Sequence, residues 1–459
     1  MKSSPEAAAV AGGSLAVSRA VWIAMAVYAV VLAALGIDRY VTYHAGMDLG
    51  LFAQSVADAT HGFHNTPEGG SHYVRHFSPI LWLAVPVLAI VRSPVALTVV
   101  QAIAGALVAP AVYLIARRRT DETMANLVAI VSLLYPPLVG VTFTDFHENG
   151  FAPAVIAWLL WAVDSRRFGW ATLFAVLALC IKEDEALFLA VLGAGYAVYS
   201  LRRSDRNAAA FAAAVSALGC AVFIAYFTVV RVWAGAVGPW TPITYYGQGS
   251  ASDVLGVAGV WHRLSFMLEA FVPLLFIPLR SPVVLLAIPG FIEAVASRWS
   301  ITYTMGQHYP GAWIGYVLVA FSLACAAMWA TNAQRTRRLA WGCVAVCSLI
   351  LVFASPTHWA HFLGLPTAHT RALDRTVAII PSNARVCAVD EVYVHLSLDP
   401  AAQVGYAGPC EYMIVDQHYD SPTWQNTYSS QVTGHLHSGA YALIRNDDGV
   451  QLYRLRGRA

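Results

Sequence analysis

The stretch Asp145-Phe-His-Glu148 separates two apolar runs, residues 124–143 and 151–163. The first run is long enough to cross the hydrocarbon core of a bilayer, and the second needs only a few flanking residues to do so. Ionisable side chains at such a depth are costly unless they are paired, hydrated or used in function. The stretch therefore predicts a membrane protein whose apolar helices are interrupted by a polar site.

The composition of the whole chain agrees with a membrane protein. Hydrophobic residues make up 58% of the 459 residues and charged residues 12%, about half of the charged share in soluble domains. We predict an all-α polytopic membrane domain with about eleven transmembrane helices. The candidate spans are 20–37, 95–116, 124–143, 151–163, 170–181, 186–201, 208–230, 265–279, 283–296, 312–331 and 339–354. The bilayer is thus the first partner, and the absence of a basic run with interleaved aromatic residues excludes nucleic acid.

The distribution of arginine orients these spans. We interpret the short run 79–91, which contains two prolines, as an interfacial helix. Arginines such as Arg117, Arg166 and Arg202 then fall in short loops on one side, which the positive-inside rule assigns to the cytoplasm. This topology predicts a cytoplasmic N-terminus, a large first outer loop and an extracytoplasmic C-terminal domain. Nearly all of the unusual ionisable residues then lie on the outer face.

The composition changes after residue 354, so we divide the chain into a transmembrane domain, 1–354, and a small α/β domain, 355–459. The pattern predicts a helix near 368–380, strands at 384–389 and 411–415, a helix near 423–436, and a hairpin of 440–445 with 450–456. Cys387 and Cys410 flank two of these strands. On an oxidising side of the membrane they could form a disulfide, and two buried thiols are the alternative.

Two stretches contain carboxylates whose function the sequence leaves open. Asp48 begins the run Asp-Leu-Gly-Leu-Phe-Ala-Gln54 and is either a helix N-cap or a functional acid. Asp145 and His147 are candidate ligands of a divalent cation such as Mg²⁺ or Mn²⁺, because carboxylate and imidazole suit these metals. With Glu148 they could instead position a substrate, or form a hydrated turn.

A second polar cluster, Lys182-Glu-Asp184, again follows an apolar run. Only two of the 28 basic residues are lysines, so a lysine here suggests a cramped site that binds phosphate. The alternative is a lysine whose ammonium reaches the interface and is neutralised by the adjacent acids. Arg298, His308 and Tyr309 could likewise hold a lipid phosphate or a sugar, or belong to an interfacial aromatic belt.

Several of these motifs together resemble one family. They are Met47-Asp-Leu-Gly-Leu-Phe-Ala-Gln54, His76-Phe-Ser-Pro79, Asp145-Phe-His-Glu148, Lys182-Glu-Asp184, His308-Tyr309, Val386-Cys-Ala-Val-Asp390 and Tyr412-Met-Ile-Val-Asp416. The combination is similar to a prokaryotic multi-span membrane family, a domain of unknown function, within the type-C glycosyltransferase superfamily. The resemblance implies a protein of the prokaryotic plasma membrane.

The superfamily uses polyprenyl-phosphate sugars at the outer face, and the resemblance implies inverting transfer of a sugar to a glycan, lipid or protein acceptor. Asp48 would be the general base or a metal-linked carboxylate, and Glu148 or Asp145 the second acid. Gln54, His76, Lys182, Glu183, Asp184, Arg298, His308 and Tyr309 are the expected substrate-binding residues. Two other functions stay open: a transporter or export component, and a membrane protein that binds a sugar lipid without catalysis.

Overall fold

The computed structural model describes residues 16–247 and 256–456. The N-terminal segment, for which the sequence predicts a cytoplasmic position, lies largely outside these ranges. Helices dominate the described part of the chain, and strands occur in one short hairpin and one C-terminal sheet.

Within the described ranges, six helices are long and apolar enough to cross a membrane, and a bent pair raises the number to seven. The six are Arg19–Val41, Val95–Arg117, Glu183–Arg202, Arg206–Trp233, Gly311–Thr331 and Ala333–Phe353, and the pair is Glu122–Leu133 with Pro136–Phe143, bent by 48°. Two shorter apolar helices are Phe168–Leu179 and Pro282–Ala296. The prediction of a polytopic helical protein is confirmed, whereas the number of eleven spans stays a prediction.

The other helices are short or amphipathic. They are Met47–Ala57, Val85–Val91, Ala152–Asp164, Thr244–Gly247, Val257–Phe271 and Trp359–Phe362 in the first part of the chain, and Ala368–Val377, Asp390–Leu396 and Ser429–His437 in the C-terminal part. The run 79–91, predicted as an interfacial helix, forms a 3₁₀ turn, Pro79–Leu83, and the two-turn helix Val85–Val91.

Helix Gly311–Thr331 lies at the centre of the helical body. Most of its side chains are buried, and Trp313 is completely so. It approaches helix Ala152–Asp164 closely at Gly315, where an added Cβ would lie 2.8 Å from the Pro153 carbonyl oxygen. The peripheral helix Arg19–Val41 instead exposes Val27, Val30 and other apolar residues, as expected of a helix surrounded by lipid.

A polar segment follows the first long helix and contains the helix Met47–Ala57, here called the loop helix. Its N-cap is Gly46, and Asp48 lies in the first turn, so Asp48 is not the cap. The segment continues through the hairpin of β1 (His64–Asn65) and β2 (Gly70–Ser71).

The C-terminal part of the chain builds a five-stranded sheet in the order β4-β3-β5-β7-β6. The strands are β3 (Val386–Ala388), β4 (Gln403–Val404), β5 (Tyr412–Asp416), β6 (Tyr441–Asp447) and β7 (Val450–Leu455). Strands β3, β4 and β5 are parallel, and β7 pairs antiparallel with both β5 and β6. The β6–β7 turn has positive φ at Asp448 and Gly449, the geometry that favours Asp-Gly in a two-residue hairpin.

This C-terminal part, here called the tail, also contains the helix Asp390–Leu396 and strand β4, which the sequence pattern did not predict. Cys387 and Cys410 form a disulfide with their Cα atoms 5.9 Å apart. The tail docks on the polar segment, since the Tyr43 hydroxyl donates to Asp374 at 2.9 Å. The imidazole of His395 stacks between the rings of Tyr40 and Tyr43.

Candidate functional site

A cavity of about 250 Å³ lies where the loop helix, the polar segment and the starts of several helices meet. Its lining includes seven residues that the sequence singled out: Asp48, His76, His147, Lys182, Asp184, His308 and Tyr309. These residues are separated by up to 261 positions in the chain. Polar residues from distant parts of the sequence thus face one space.

The loop helix positions Asp48 in the cavity. Asp48 and Phe52 are one turn apart and therefore on one face of the helix, and both line the cavity. The Phe52 ring contacts the His147 ring edge-on, with centroids 5.0 Å apart. Burial raises the pKa of Asp48 to about 7, helped by the negative charges of Asp145 and Glu148. This carboxyl group is therefore poised to exchange a proton near neutral pH.

The 144–148 turn is held by a glutamine. Gln101 accepts a hydrogen bond from the His147 backbone N–H at 2.9 Å and donates to the Thr144 carbonyl at 2.9 Å. The His147 ring stacks on His308 with centroids 3.5 Å apart. Burial holds the pKa of both imidazoles well below the usual range, so the stacked pair is neutral.

The two acids of this turn have different surroundings. Asp145 forms a 3.0 Å ion pair with Arg39, a buried residue of the first long helix, and does not line the cavity. Glu148 is completely buried, and neither of its carboxylate oxygens has a hydrogen-bond partner among the described residues. Nδ1 of the neutral His147 ring lies 3.1 Å from Oε2 of Glu148. Burial raises the pKa of Glu148.

Basic groups line the side of the cavity that faces the polar segment. Lys182 is buried and forms a 3.0 Å ion pair with Asp184. Glu183 lies behind the lining, where it holds His76 through a 2.9 Å bond to Nδ1 and accepts from the Phe77 N–H at 2.8 Å. Arg75, which is not among the residues predicted from the sequence, also lines the cavity.

His72 and Glu68 form a further buried pair in the lining. The Glu68 carboxylate lies 2.9 Å from Nδ1 of His72. Burial alone would lower the pKa of His72, but this carboxylate raises it to about 9. The opposite ring nitrogen, Nε2, is buried and has no partner among the described residues. His72 is thus a cation at neutral pH with one donor still available.

Besides Asp145, Glu148 and Glu183, two more selected residues lie outside the lining. Gln54 is buried between the loop helix and the tail, where it donates to the Asp399 carbonyl and accepts from the Tyr393 hydroxyl, each at 2.9 Å. Arg298 donates its backbone N–H to the carbonyl of Tyr245, a residue that does line the cavity.

Two lining residues that were not predicted as binding residues, His72 and Arg75, lie in the pattern His-x-x-Arg-His of residues 72–76, which was the available signal for them. Glu68 carried no such signal.

The divalent cation expected at Asp145 and His147 stays a prediction. The charge of Asp145 is already balanced by Arg39. Among the described residues, the one group of three metal-ligating side chains with mutually close ligand atoms lies in the tail, away from the cavity.

Two solved structures of one protein have a fold similar to that of this chain, and a third structure is less similar. ArnT from Cupriavidus metallidurans bound to undecaprenyl phosphate superposes with a TM-score of 0.54 at 12% identity, covering 95% of this chain and 98% of that one. The same protein in its apo state gives 0.53 at 13% identity, with 94% and 97% covered. The Archaeoglobus fulgidus oligosaccharyltransferase in complex with Zn and sulfate gives 0.49 at 13% identity, with 93% and 73% covered.

Identities this low show a shared fold alone, and at that level the resemblance to type-C glycosyltransferases is confirmed. No curated protein matches the chain. Residues 39–452 match the family described as predicted membrane protein (DUF2079), which covers most of the chain. The protein therefore belongs to the DUF2079 family of membrane proteins.

Proposed function

We propose that the protein is a membrane glycosyltransferase that moves a sugar from a polyprenyl-phosphate donor to an extracytoplasmic acceptor. The observation that carries the proposal is the cavity itself, in which a carboxyl group with a pKa of about 7, Asp48, faces the same space as Lys182 and Arg75. The shared fold with ArnT, a protein crystallised with undecaprenyl phosphate, supports a lipid phosphate as the leaving group.

The reaction assigned to this cavity is an inverting displacement. The Asp48 carboxylate accepts the proton of an acceptor hydroxyl while the hydroxyl oxygen attacks C1 of the sugar. The bond between C1 and the phosphate oxygen breaks, and the lipid phosphate leaves with the electron pair. The leaving phosphate gains negative charge in the transition state. Cationic hydrogen-bond donors beside it therefore lower the activation free energy.

Three cations of the lining are suited to this phosphate. Lys182 supplies a compact ammonium, and Arg75 a planar guanidinium able to bind two oxygens. Protonated His72 offers Nε2–H as a buried donor without a partner. A phosphate oxygen that accepts a hydrogen bond from Nε2–H would give this buried donor its missing partner. His72 is therefore assigned as a phosphate-binding residue.

The neutral pair His147 and His308, with Tyr309, forms the part of the lining assigned to the sugar. Stacked rings offer an apolar face for the sugar ring, and the phenol offers a hydroxyl for hydrogen bonding. Glu148 has a buried carboxylate behind His147 and is assigned a positioning role. The proposed reaction uses no metal ion, because Asp145 forms an ion pair with Arg39.

The test is sugar transfer by the purified protein in lipid vesicles, with a set of polyprenyl-phosphate pentoses and hexoses as donors and a cell-envelope extract as acceptor. We expect one donor class to give labelled product that requires the folded protein. If polyprenyl phosphate binds but no donor is consumed, the protein is a non-catalytic lipid-binding protein. Uptake of a free solute without transfer would favour the transporter.

A further inference from the structure

The tail contains a cluster of side chains for which the glycosyltransferase chemistry has no use. His369 lies in the first turn of helix Ala368–Val377, Asp416 ends strand β5, and His418 follows two residues later. One ligand atom from each of the three lies within 4.8 Å of the others. Two segments of the tail, the start of this helix and the end of β5, thus meet at one point.

The two imidazoles face each other through ring nitrogens. Nδ1 of His369 lies 3.0 Å from Nδ1 of His418, so one proton at most lies between the two nitrogens. In a tetrahedral zinc site with bonds of about 2.0 Å, ligand atoms are about 3.3 Å apart. A small rotation of the His418 ring, which is exposed, is enough to admit an ion in place of that proton.

The carboxylates around the pair favour a cation. Oδ2 of the buried Asp416 lies 3.0 Å from Nε2 of His369. A carboxylate on the distal nitrogen of a ligating histidine fixes its tautomer and raises its basicity. Asp448 of the β6–β7 turn adds an oxygen 3.5 Å from Nδ1 of His369. Two imidazoles with the carboxylate oxygen of Asp448 form a ligand set that suits Zn²⁺ and its neighbours in the first transition row.

We propose that His369 and His418 bind a divalent transition metal through their Nδ1 atoms, with Zn²⁺ as the matching ion, and that Asp416 orients the His369 ring through Nε2. The ion joins helix Ala368–Val377 to the carboxyl end of β5. Asp374 of the same helix accepts the hydrogen bond from Tyr43 that docks the tail on the polar segment. The metal thereby stabilises the surface through which the tail contacts the membrane domain.

The test uses the full-length protein in detergent, stripped with a chelator and titrated with Zn²⁺ and, in parallel, with Co²⁺. The variants are His369→Gln and His418→Gln, and the control is His437→Gln, an exposed histidine of the same tail outside the cluster. We expect wild type and control to bind one equivalent that both cluster variants lose or bind at least tenfold more weakly. The visible absorption of tetrahedral Co²⁺, expected in the wild-type protein, should be absent from both cluster variants.

Three results would overturn the site. Wild type and His418→Gln could bind the same number of equivalents with the same affinity. The bound ion could survive in both cluster variants and be lost in His147→Gln, which would assign it to the cavity. The stripped wild-type protein could also unfold at the same temperature with and without Zn²⁺ while binding none. Because His418 is exposed, its substitution leaves the tail core intact, and the thermal unfolding of the metal-free variant checks this.

Discussion

At the scale of single residues, the charge state of Asp48 depends on its surroundings rather than on its own helix. The carboxyl group is withdrawn from water, and Asp145 and Glu148 add negative charge nearby, so its pKa rises to about 7. His72 shows the opposite balance: burial opposes its protonation, and the Glu68 carboxylate overcomes this and raises its pKa to about 9. The cavity therefore pairs a base that is half ionised at neutral pH with a cation that persists there.

These two pKa values predict a bell-shaped pH dependence of kcat/KM for the donor. Asp48 must be ionised to accept a proton, so the rate should rise as pH increases through about 7. His72 must be protonated to bind phosphate, so the rate should fall as pH increases through about 9. The profile is measured with the purified protein between pH 5.5 and 10 (about one unit beyond each limb).

The variant His72→Gln separates the two limbs. It should keep the acidic limb near pH 7, lose the alkaline limb, and raise the donor KM about tenfold, the loss of roughly one charge-assisted hydrogen bond. A profile that is flat through pH 7 in the wild-type protein would contradict the role of Asp48.

At the scale of elements, the loop helix Met47–Ala57 serves two surfaces. Asp48 and Phe52 face the cavity, whereas Gly50 and Gln54, on the opposite side, face the tail. An added Cβ at Gly50 would lie 2.7 Å from the Tyr393 ring and 3.2 Å from the Val394 Cα. The glycine thus permits the close contact between this helix and the tail helix Asp390–Leu396, and it couples tail docking to the position of Asp48.

Gly50→Ala should therefore destabilise the protein although alanine favours helices. Overpacking a tight contact costs about 1–3 kcal/mol. The matched control is Gly434→Ala in helix Ser429–His437, where an added Cβ meets nothing within 4 Å and should stabilise by about 0.5–1 kcal/mol. Thermal unfolding in detergent measures both, and equal shifts for the two variants would show that the contact at Gly50 is not tight.

The sequence predicted long-period features better than single contacts. Apolar runs predicted the long helices, and alternation with turn residues predicted β3, β5 and the β6–β7 hairpin to within a few residues. The two-residue strand β4 is too short to show an alternating pattern. Helix Asp390–Leu396 begins at Asp390, the residue directly after the predicted strand 384–389, and the sequence pattern did not separate the two. Short elements of this kind are fixed by tertiary packing rather than by local preference.

For the site, too, the sequence identified individual residues better than the contacts between them. The polar interruptions of apolar runs identified Asp48, His147, Lys182 and His308, because charge beside lipid is costly and therefore informative. The pairing of Arg39 with Asp145 and of Gln54 with Asp399 depends on residues more than 100 positions apart. The periodicity of a single sequence does not encode contacts between such distant residues. The partners of Asp145 and Gln54 are therefore seen only in the structure.

At the scale of the whole molecule, the polar cavity lies in the helical membrane body, and the small sheet-containing tail docks on the loop helix that forms part of the cavity lining. The tail reaches the loop helix through Gln54 and Gly50, and the polar segment through Tyr43. In the proposed reaction, the donor keeps its long lipid chain in the bilayer while its phosphate enters the cavity. The arrangement accounts for charged residues in a protein that is otherwise 58% hydrophobic.

The most direct test of this account compares single-turnover sugar transfer with donor binding in wild type, Asp48→Asn and Asp58→Asn. Asp58 ends the same loop helix but bonds to His64 outside the cavity, so it is the matched control. We predict that Asp48→Asn binds the donor within about threefold of wild type yet transfers sugar about 100- to 10,000-fold more slowly, the usual contribution of a general base. Asp58→Asn should transfer at the wild-type rate. Transfer by Asp48→Asn at the wild-type rate would contradict the account.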